Sequence, residues 1–221
     1  MIQVMDKGFQ TTIFLILCLH SCNKFISQKQ IPFSGELVYS IERVDKKDSV
    51  KAEMIIYARD SLLRVVNFNS ESGKQELIKH LRLGKSYLLF DTPKQKFAIR
   101  TNEHLEKDTI DRYYFKKTLK YKKISGLKSQ KFKVKQREVK NELDFYIHTK
   151  IAAKYANSFT SLPGLPVIYF IPTDHGLYKY SLKSIKNTIP PLSLFSFGND
   201  YKIVTFEEFT LEFSRLYETG E

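Results

Sequence analysis

Alternation of apolar and polar side chains is the feature that most restricts how this chain can fold. In the stretch GELVYSIER, the apolar residues Leu37, Tyr39 and Ile41 alternate with polar ones. The stretch KAEMIIYAR has the same pattern, with its apolar residues at Ala52, Met54, Ile56 and Ala58. Successive side chains of a β-strand point to opposite faces. A period of two therefore predicts antiparallel strands with one buried and one wet face.

Turn-forming residues separate these stretches at regular intervals. They lie at residues 45–48, 59–61, 83–85 and 91–93. Together with the alternation they predict a meander of hairpins over residues 35–100. Further strands are predicted at residues 130–139, 142–149, 167–171 and 178–185. The pattern of residues 102–115 is ambiguous.

One amphipathic helix is predicted near the C-terminal end. Thr205, followed by Glu208 three positions later, forms a capping box. The apolar residues around it recur at helical spacing, at Phe206, Phe209, Phe213 and Leu216. A second short helix is predicted at residues 151–159.

These patterns predict a mainly β domain with one or two helices. Its centre is a curved antiparallel sheet, an open or half barrel, with the C-terminal amphipathic helix against the concave face. That face must be filled by side chains or by something else, which is how half barrels acquire apolar cavities.

The apolar run at residues 13–19 bears on where the protein is located. It is far shorter than the roughly 18 apolar residues that a membrane-crossing helix needs. It follows a short segment with Lys7 and ends in small or polar residues, the layout of a secretory signal peptide. The stretch LHSC, ending at Cys22, resembles the lipobox of bacterial lipoproteins, with His20 where a small or apolar residue is usual. The alternative is a buried N-terminal strand or helix of a cytoplasmic domain.

The lipobox resemblance implies cleavage before Cys22 and attachment of acyl chains to that cysteine. Such chains anchor strongly, because each buried methylene contributes about 0.8 kcal/mol. The only other cysteine, Cys18, leaves with the leader, so the mature chain has no free thiol and no disulfide. The expected organisation is a signal peptide at residues 1–21, a lipidated tether at 22–32 and a single β-rich domain at 33–221. No acidic cluster follows Cys22. By resemblance to Bacteroidetes lipoproteins, this predicts a periplasm-facing anchor in the outer membrane.

The stretch SLPGLP at residues 161–166 resembles the motif of the GLPGLI family. Its four central residues match, whereas Ser161 and Pro166 depart from the family pattern. Residues 35–39, 124–128 and 145–151 resemble further pieces in the family's order, with Ser129 where the family has Cys. The family is a set of exported Bacteroidetes proteins of largely unknown function. The resemblance implies an architecture like that of the lipoprotein carriers LolA and LolB, whose curved sheet holds acyl chains.

The same motif has a physical interpretation of its own. Two prolines bracket Gly164, and each fixes φ and disfavours helix in the residue before it. Gly164 can take a positive φ. The motif therefore predicts a rigid elbow without backbone hydrogen bonds, leading into the strand at 167–171. The elbow is either a plain structural turn or the mouth of a pocket formed by Leu162, Pro163, Gly164 and Leu165.

Basic residues are concentrated in one part of a chain whose formal net charge is +12. Residues 116–140 contain eleven Lys or Arg and one acid, Glu138. Lysines that alternate with Phe132 and Val134 indicate one solvated face of a strand, and lysines also prevent edge-to-edge pairing. A second interpretation is a surface for anionic lipid headgroups. A nucleic-acid surface is the third, but an exported lipoprotein is not expected to meet that partner.

The sequence has no recognisable catalytic or metal-binding pattern. No nucleophile elbow accompanies Asp174-His175, and the histidines that remain after the leader lack ligand spacing, at His80, His104, His148 and His175. We therefore expect a non-enzymatic lipoprotein without cofactor that binds apolar ligands such as acyl chains, lipids or a lipoprotein in transit. The alternative is a structural or assembly subunit of an outer-membrane protein complex, with its concave face closed by its own side chains.

Overall fold

The computed structural model describes residues 30–45, 52–69, 73–101, 113–136, 139–156 and 162–218, and within these ranges the chain forms twelve strands and one α-helix. The strands are β1 Gly35–Arg43, β2 Ala52–Arg59, β3 Leu62–Asn69, β4 Gly73–His80, β5 Lys85–Asp91, β6 Lys96–Thr101, β7 Tyr113–Ile124, β8 Leu127–Gln136, β9 Leu143–His148, β10 Leu165–Thr173, β11 Gly176–Lys186 and β12 Tyr201–Val204. Helix α1 is Phe206–Glu218, and two 3₁₀ helices lie at Ala153–Ala156 and Leu192–Phe195.

All twelve strands belong to one sheet, in the order β12-β6-β5-β4-β3-β2-β1-β11-β10-β9-β8-β7. Neighbouring strands are antiparallel except β12, which pairs with β6 in parallel. The sheet is not closed into a barrel, so β12 and β7 are its two outermost strands. The predicted fold class is confirmed: the domain is mainly β, its sheet is open, and its helix is C-terminal. In the described part of the chain, no helix is both long and apolar enough to cross a bilayer.

The predicted hairpin meander is confirmed by strands β1 to β6. Leu37 lies opposite Ile56, and Tyr39 lies opposite Met54. These four side chains are at most 4% exposed and share one face of the sheet, called the inner face here. The opposite face, called the outer face, carries Arg64, Glu76 and Ile78. The period of two in the sequence therefore predicts which side chains face the core.

One hydrophobic cluster extends across the inner face. It runs from Leu63 and Val65 on β3, through β1, β11 and β10, to Phe132 and Val134 on β8. Each fully buried side chain of this size stabilises the fold by roughly 1.5–3 kcal/mol relative to an exposed one. The core of the domain therefore lies on the inner face.

Helix α1 covers the inner face at the β12 end of the sheet. Its capping box forms as predicted: Glu208 N donates to the Thr205 hydroxyl at 3.2 Å, and Thr205 N donates to the Glu208 carboxylate at 2.7 Å. Phe209 packs edge-on against Phe90 and Phe97, with centroids 5.2 and 5.3 Å away. Phe206, which the spacing places in the same apolar stripe, is instead 64% exposed.

The connection from β11 to β12 crosses the outer face. The Arg59 guanidinium donates to the carbonyl of Pro190 at 3.1 Å, and the Arg64 guanidinium donates to the carbonyl of Leu194 at 2.9 Å. Phe197 then packs edge-on against Tyr87 on β5 at 5.3 Å. This crossing carries the chain from the middle of the sheet to its far edge.

Two strands were not predicted. β12 has four residues, too few to show a period, and its partner β6 lies about a hundred positions earlier in the chain. β7 has an irregular pattern because its register against β8 shifts between Lys117 and Tyr121. The β7–β8 turn has positive φ at Ser125 (45°) and Gly126 (82°), as a two-residue hairpin turn requires. Residues 102–112 of the ambiguous segment lie outside the described residues.

The boundaries of the other elements differ little from the prediction. β8 begins at Leu127 and β10 begins at Leu165, each two or three residues earlier than expected. The predicted helix at 151–159 is a four-residue 3₁₀ helix, Ala153–Ala156, and the rest of that range after Ala156 is not described. The predicted signal peptide, Cys22 and most of the tether also lie outside the described residues.

Candidate functional site

The motif residues 162–165 lie where the chain enters β10. The side chains of Leu162 and Leu165 are 5% and 0% exposed and belong to the inner-face cluster. Half-buried Pro163 accepts a hydrogen bond at its carbonyl from the side-chain amide of Gln30, at 3.1 Å. Leu165 N donates to the carbonyl of Ile151 at 2.8 Å. The prediction of an elbow without backbone hydrogen bonds is therefore wrong, because the backbone of Leu165 is hydrogen-bonded to that of Ile151.

Gly164 is required for space rather than for an unusual backbone angle. Its φ is not positive, unlike that of Gly126. A Cβ atom at Gly164 would meet the carbonyl oxygen of His148 and would lie 2.6 Å from Cα of Thr149. The backbone of the motif thus packs directly on the end of β9. The four motif residues join β9, β10 and the core, and their role at a pocket mouth stays a prediction.

The inner face, where the sequence allows a pocket, is occupied by large side chains of the protein itself. Tyr39, Tyr155 and Tyr169 are 0% exposed, as is Phe145, and Phe132 is 2% exposed. Tyr169 stacks on Tyr180 with centroids 4.6 Å apart and meets Tyr39 edge-on at 5.8 Å. Such pairs contribute about 0.5–1.5 kcal/mol beyond the area that they bury. These contacts link β1, β10 and β11 across the centre of the inner face.

The buried tyrosines are suited to hydrogen bonding rather than to acid–base chemistry. Burial raises the pKa of Tyr39 and of Tyr169 well above the ordinary tyrosine range. Both hydroxyls are therefore protonated at neutral pH. The Tyr39 hydroxyl donates to the carbonyl of Pro166 at 2.9 Å. This bond ties β1 to the motif at the start of β10.

The histidines do not converge on a common site in the described residues. His80 accepts at Nδ1 from Leu83 N at 3.4 Å, in the β4–β5 turn. His148 Nδ1 lies 2.9 Å from the carbonyl of Lys128, on β9 beside β8. His175 occupies the β10–β11 turn, and His104 lies outside the described residues. No cluster of three His, Cys, Asp or Glu side chains that could hold a metal ion occurs within the described ranges.

Nine of the eleven basic residues of segment 116–140 lie on β7 and β8, at the end of the sheet opposite helix α1. Lys140 follows β8, and Arg137 lies outside the described residues. On β8, Lys131 and Lys133 both pair with Asp144 on β9, the latter at 2.8 Å. Burial alone would raise the pKa of Asp144, but hydrogen bonds and charge from the two lysines outweigh it and lower the pKa. The carboxylate is thus ionised at neutral pH, and part of the β8 charge is neutralised within the sheet.

The lysines of β7 are in a different situation. They are exposed and, among the described residues, form no ion pair: Lys116, Lys117, Lys120, Lys122 and Lys123. Large apolar or aromatic side chains with high exposure lie on the same strand: Leu119 at 92% and Tyr121 at 53% between these lysines, and Tyr114 at 73% just before them. Lys128 from β8 adds its ammonium 4.9 Å from the Tyr121 ring centroid. We call this set, from Tyr114 to Lys123 with Lys128, the β7 surface. It is the free edge of the sheet with both of its faces, because Lys116 lies opposite Lys133 on the outer face and Lys117 lies opposite Phe132 on the inner face.

The β7 surface is built around a β-bulge. The Thr118 hydroxyl donates to the carbonyl of Lys131 at 2.8 Å and accepts from Lys120 N at 3.3 Å. The buried side-chain amide of Gln130 donates to the carbonyl of Thr118 at 2.6 Å. Side chains thus replace the ladder hydrogen bonds that the register shift removes, and Leu119 projects from the bulge. Charge counting in the sequence detects the lysines, but the position of Leu119 requires the strand pairing.

Comparison with known proteins does not place the chain in a family, since no protein-family model and no curated protein matches the sequence.

Proposed function

We propose that this protein is a non-enzymatic binding module, anchored by lipid at Cys22 to the periplasmic side of the outer membrane. Its partner is a protein of an outer-membrane complex, which it contacts through exposed surface rather than through an internal pocket. The observation that carries the proposal is the occupancy of the inner face. Leu37, Tyr39 and Ile56, which the sequence places toward the pocket, are all 0% exposed because other side chains of the protein pack against them.

The same observation weighs against the acyl-chain carrier, which stays a prediction. A carrier must move side chains such as Tyr39 and Ile56 away from their neighbours before a ligand can enter. Exposing each of them costs roughly 1.5–3 kcal/mol. A bound acyl chain would have to offset that cost through its own methylene groups, at about 0.8 kcal/mol each. The assembly subunit needs no such rearrangement.

A fatty-acid probe and an overpacked inner face separate the two functions. Ala58 is 0% exposed on the inner face, opposite Gly35 and Leu63. In a filled core, Ala58→Leu should destabilise the full-length protein by about 1–3 kcal/mol, because there is no room for three more carbons. An environment-sensitive fatty-acid probe should not bind the wild type. Two results together would overturn the proposal in favour of the carrier. The wild type would bind the probe saturably, and Ala58→Leu would abolish that binding at little cost in stability.

The partner itself is tested on protein extracted from its own membranes. Native mass spectrometry of the mild-detergent extract should give a complex with a defined protein stoichiometry. A monomer that carries only acyl-chain masses beyond its own lipid would contradict the assembly function. Cys22→Ala serves as the control. It removes the predicted lipid anchor and leaves the protein-binding surface unchanged, so it separates loss of the anchor from loss of the partner.

A further inference from the structure

We propose that the β7 surface is a membrane-docking element, which places Leu119 among the headgroups of an anionic bilayer and the surrounding lysines beside lipid phosphates. The proposal goes beyond the assembly function above. It depends neither on the lipid at Cys22 nor on a protein partner.

Protection of a free sheet edge explains part of the β7 surface but not all of it. Lysines on an outermost strand prevent edge-to-edge pairing with other chains. That role accounts for Lys116 to Lys123, but it leaves the exposed Tyr114, Leu119 and Tyr121 unexplained. Large apolar side chains on a free edge would promote association in water. Their combination with lysine suits a site where a polar and an apolar phase meet.

A membrane interface is such a site. Tyrosine rings are enriched there because one end is apolar and the other polar. Lysine stems lie along apolar surface while the ammonium group stays at the phosphates. The five exposed lysines of β7 and Lys128 carry positive charge, and Asp144 already pairs with Lys131 and Lys133 on β8. The charge that remains is complementary to anionic lipid.

The bulge supplies the apolar contact. A bulge re-aims side chains and bends its strand locally. Here Thr118 and the 4% exposed Gln130 fix its conformation through three hydrogen bonds. Leu119 is consequently held outward at 92% exposure, the highest value among the exposed apolar side chains of the described chain. Lys117 and Lys120 flank it on the same strand.

The absence of tryptophan from the sequence makes a direct test available. Leu119→Trp gives the full chain a single tryptophan at the proposed contact. Leu211→Trp gives a matched control, because Leu211 is 61% exposed on helix α1 at the other end of the sheet. All variants also carry Cys22→Ala, so that the predicted lipid cannot contribute. The probes are vesicles of phosphatidylcholine with and without phosphatidylglycerol.

We expect the tryptophan emission of Leu119→Trp to shift to shorter wavelength with vesicles that contain phosphatidylglycerol. This emission should then be quenched by brominated acyl chains and protected from an aqueous quencher, while the indole of Leu211→Trp stays accessible. Adding Lys117→Gln and Lys120→Gln to Leu119→Trp should weaken vesicle binding about 25-fold, since each lysine near an anionic surface contributes about a factor of five. Adding Arg82→Gln and Lys85→Gln instead, which removes the same charge from exposed sites around the β4–β5 turn, should leave binding within about twofold.

Three outcomes overturn the proposal. The first is an indole in Leu119→Trp that remains accessible to the aqueous quencher in anionic vesicles. The second is an equal loss of binding in the variant without Lys117 and Lys120 and in the control variant without Arg82 and Lys85. The third is a response to a short oligonucleotide but not to vesicles, which would assign the surface to nucleic acid. None of them bears on fatty-acid binding at the inner face, so failure here is distinguishable from failure of the assembly function.

Discussion

The hydroxyl of Tyr155 joins two segments that lie far apart in the sequence. It accepts a hydrogen bond from the backbone amide of Phe33 at 3.1 Å and donates one to the carbonyl of Asp60 at 3.2 Å. Its ring also meets the Phe33 ring edge-on at 5.8 Å. One buried side chain on the 3₁₀ helix after β9 thus holds both the entry to β1 and the β2–β3 turn.

Removing that hydroxyl should destabilise the fold. Tyr155→Phe keeps the ring but leaves the Phe33 amide and the Asp60 carbonyl without this partner. We expect a loss of about 1–3 kcal/mol, the usual cost of leaving a buried polar group unsatisfied. Urea unfolding of the wild type and the variant measures it. Tyr114→Phe, at a 73% exposed position, should change stability by less than about 0.5 kcal/mol. Equal effects of the two substitutions would contradict the assigned role.

Gly164→Ala should cost more than the same change at Gly126. The new methyl group at Gly164 would meet His148 and Thr149 backbone atoms, so two strand ends must move apart, at about 1–3 kcal/mol. At Gly126 nothing lies within 4 Å of the added atom, and the cost is limited to the positive φ of 82°, about 1 kcal/mol. Melting temperatures of the two variants give the comparison. A smaller loss for Gly164→Ala would show that the β9–β10 contact is not tight.

The Glu76 carboxylate on β4 should make stability depend on pH. Burial by itself raises its pKa, but hydrogen bonds and charge from Lys74 and Arg64 outweigh burial and lower the pKa. A lowered folded pKa stabilises the protein above the unfolded pKa, about 4.3, and this contribution is lost as pH falls through the folded value. Glu76→Gln should therefore be destabilising at neutral pH, and its difference from the wild type should shrink in acid.

Unfolding free energies at about pH 7 and about pH 3 test this dependence. Glu53→Gln is the control, because Glu53 is exposed on β2. A difference between Glu76→Gln and the wild type that stays constant from neutral to acid pH would exclude the ion pairs as its source.

Lipid attachment should require Cys22 and not Cys18. In cells supplied with labelled fatty acid, the wild type and Cys18→Ala should take up label and fractionate with membranes. Cys22→Ala should do neither, because the remaining cysteine, Cys18, lies within the apolar run and not at the end of the lipobox. Labelling that persists in Cys22→Ala would mean that the signal peptide is not of the lipoprotein type.

The sequence by itself determines the elements whose information is local. Alternation in GELVYSIER and KAEMIIYAR identifies both the strands and the buried face, because side-chain direction in a strand depends only on position along it. The Thr205 and Glu208 pair identifies the start of α1 for the same reason, since both hydrogen bonds of a capping box close within one turn.

Only the tertiary structure decides what depends on distant segments. β12 is a strand because β6 lies beside it. The bulge at Leu119 exists because the register of β7 against β8 shifts there. Position 164 requires glycine because the backbone at the end of β9 packs directly against it. The same holds for the inner face. The pattern predicts that the side chains of Tyr39 and Ile56 point inward. Whether they contact a ligand or other side chains of the protein depends on packing between strands more than a hundred residues apart. The period of two determines to which face each side chain of a strand points. Whether side chains fill that face is a property of the assembled sheet.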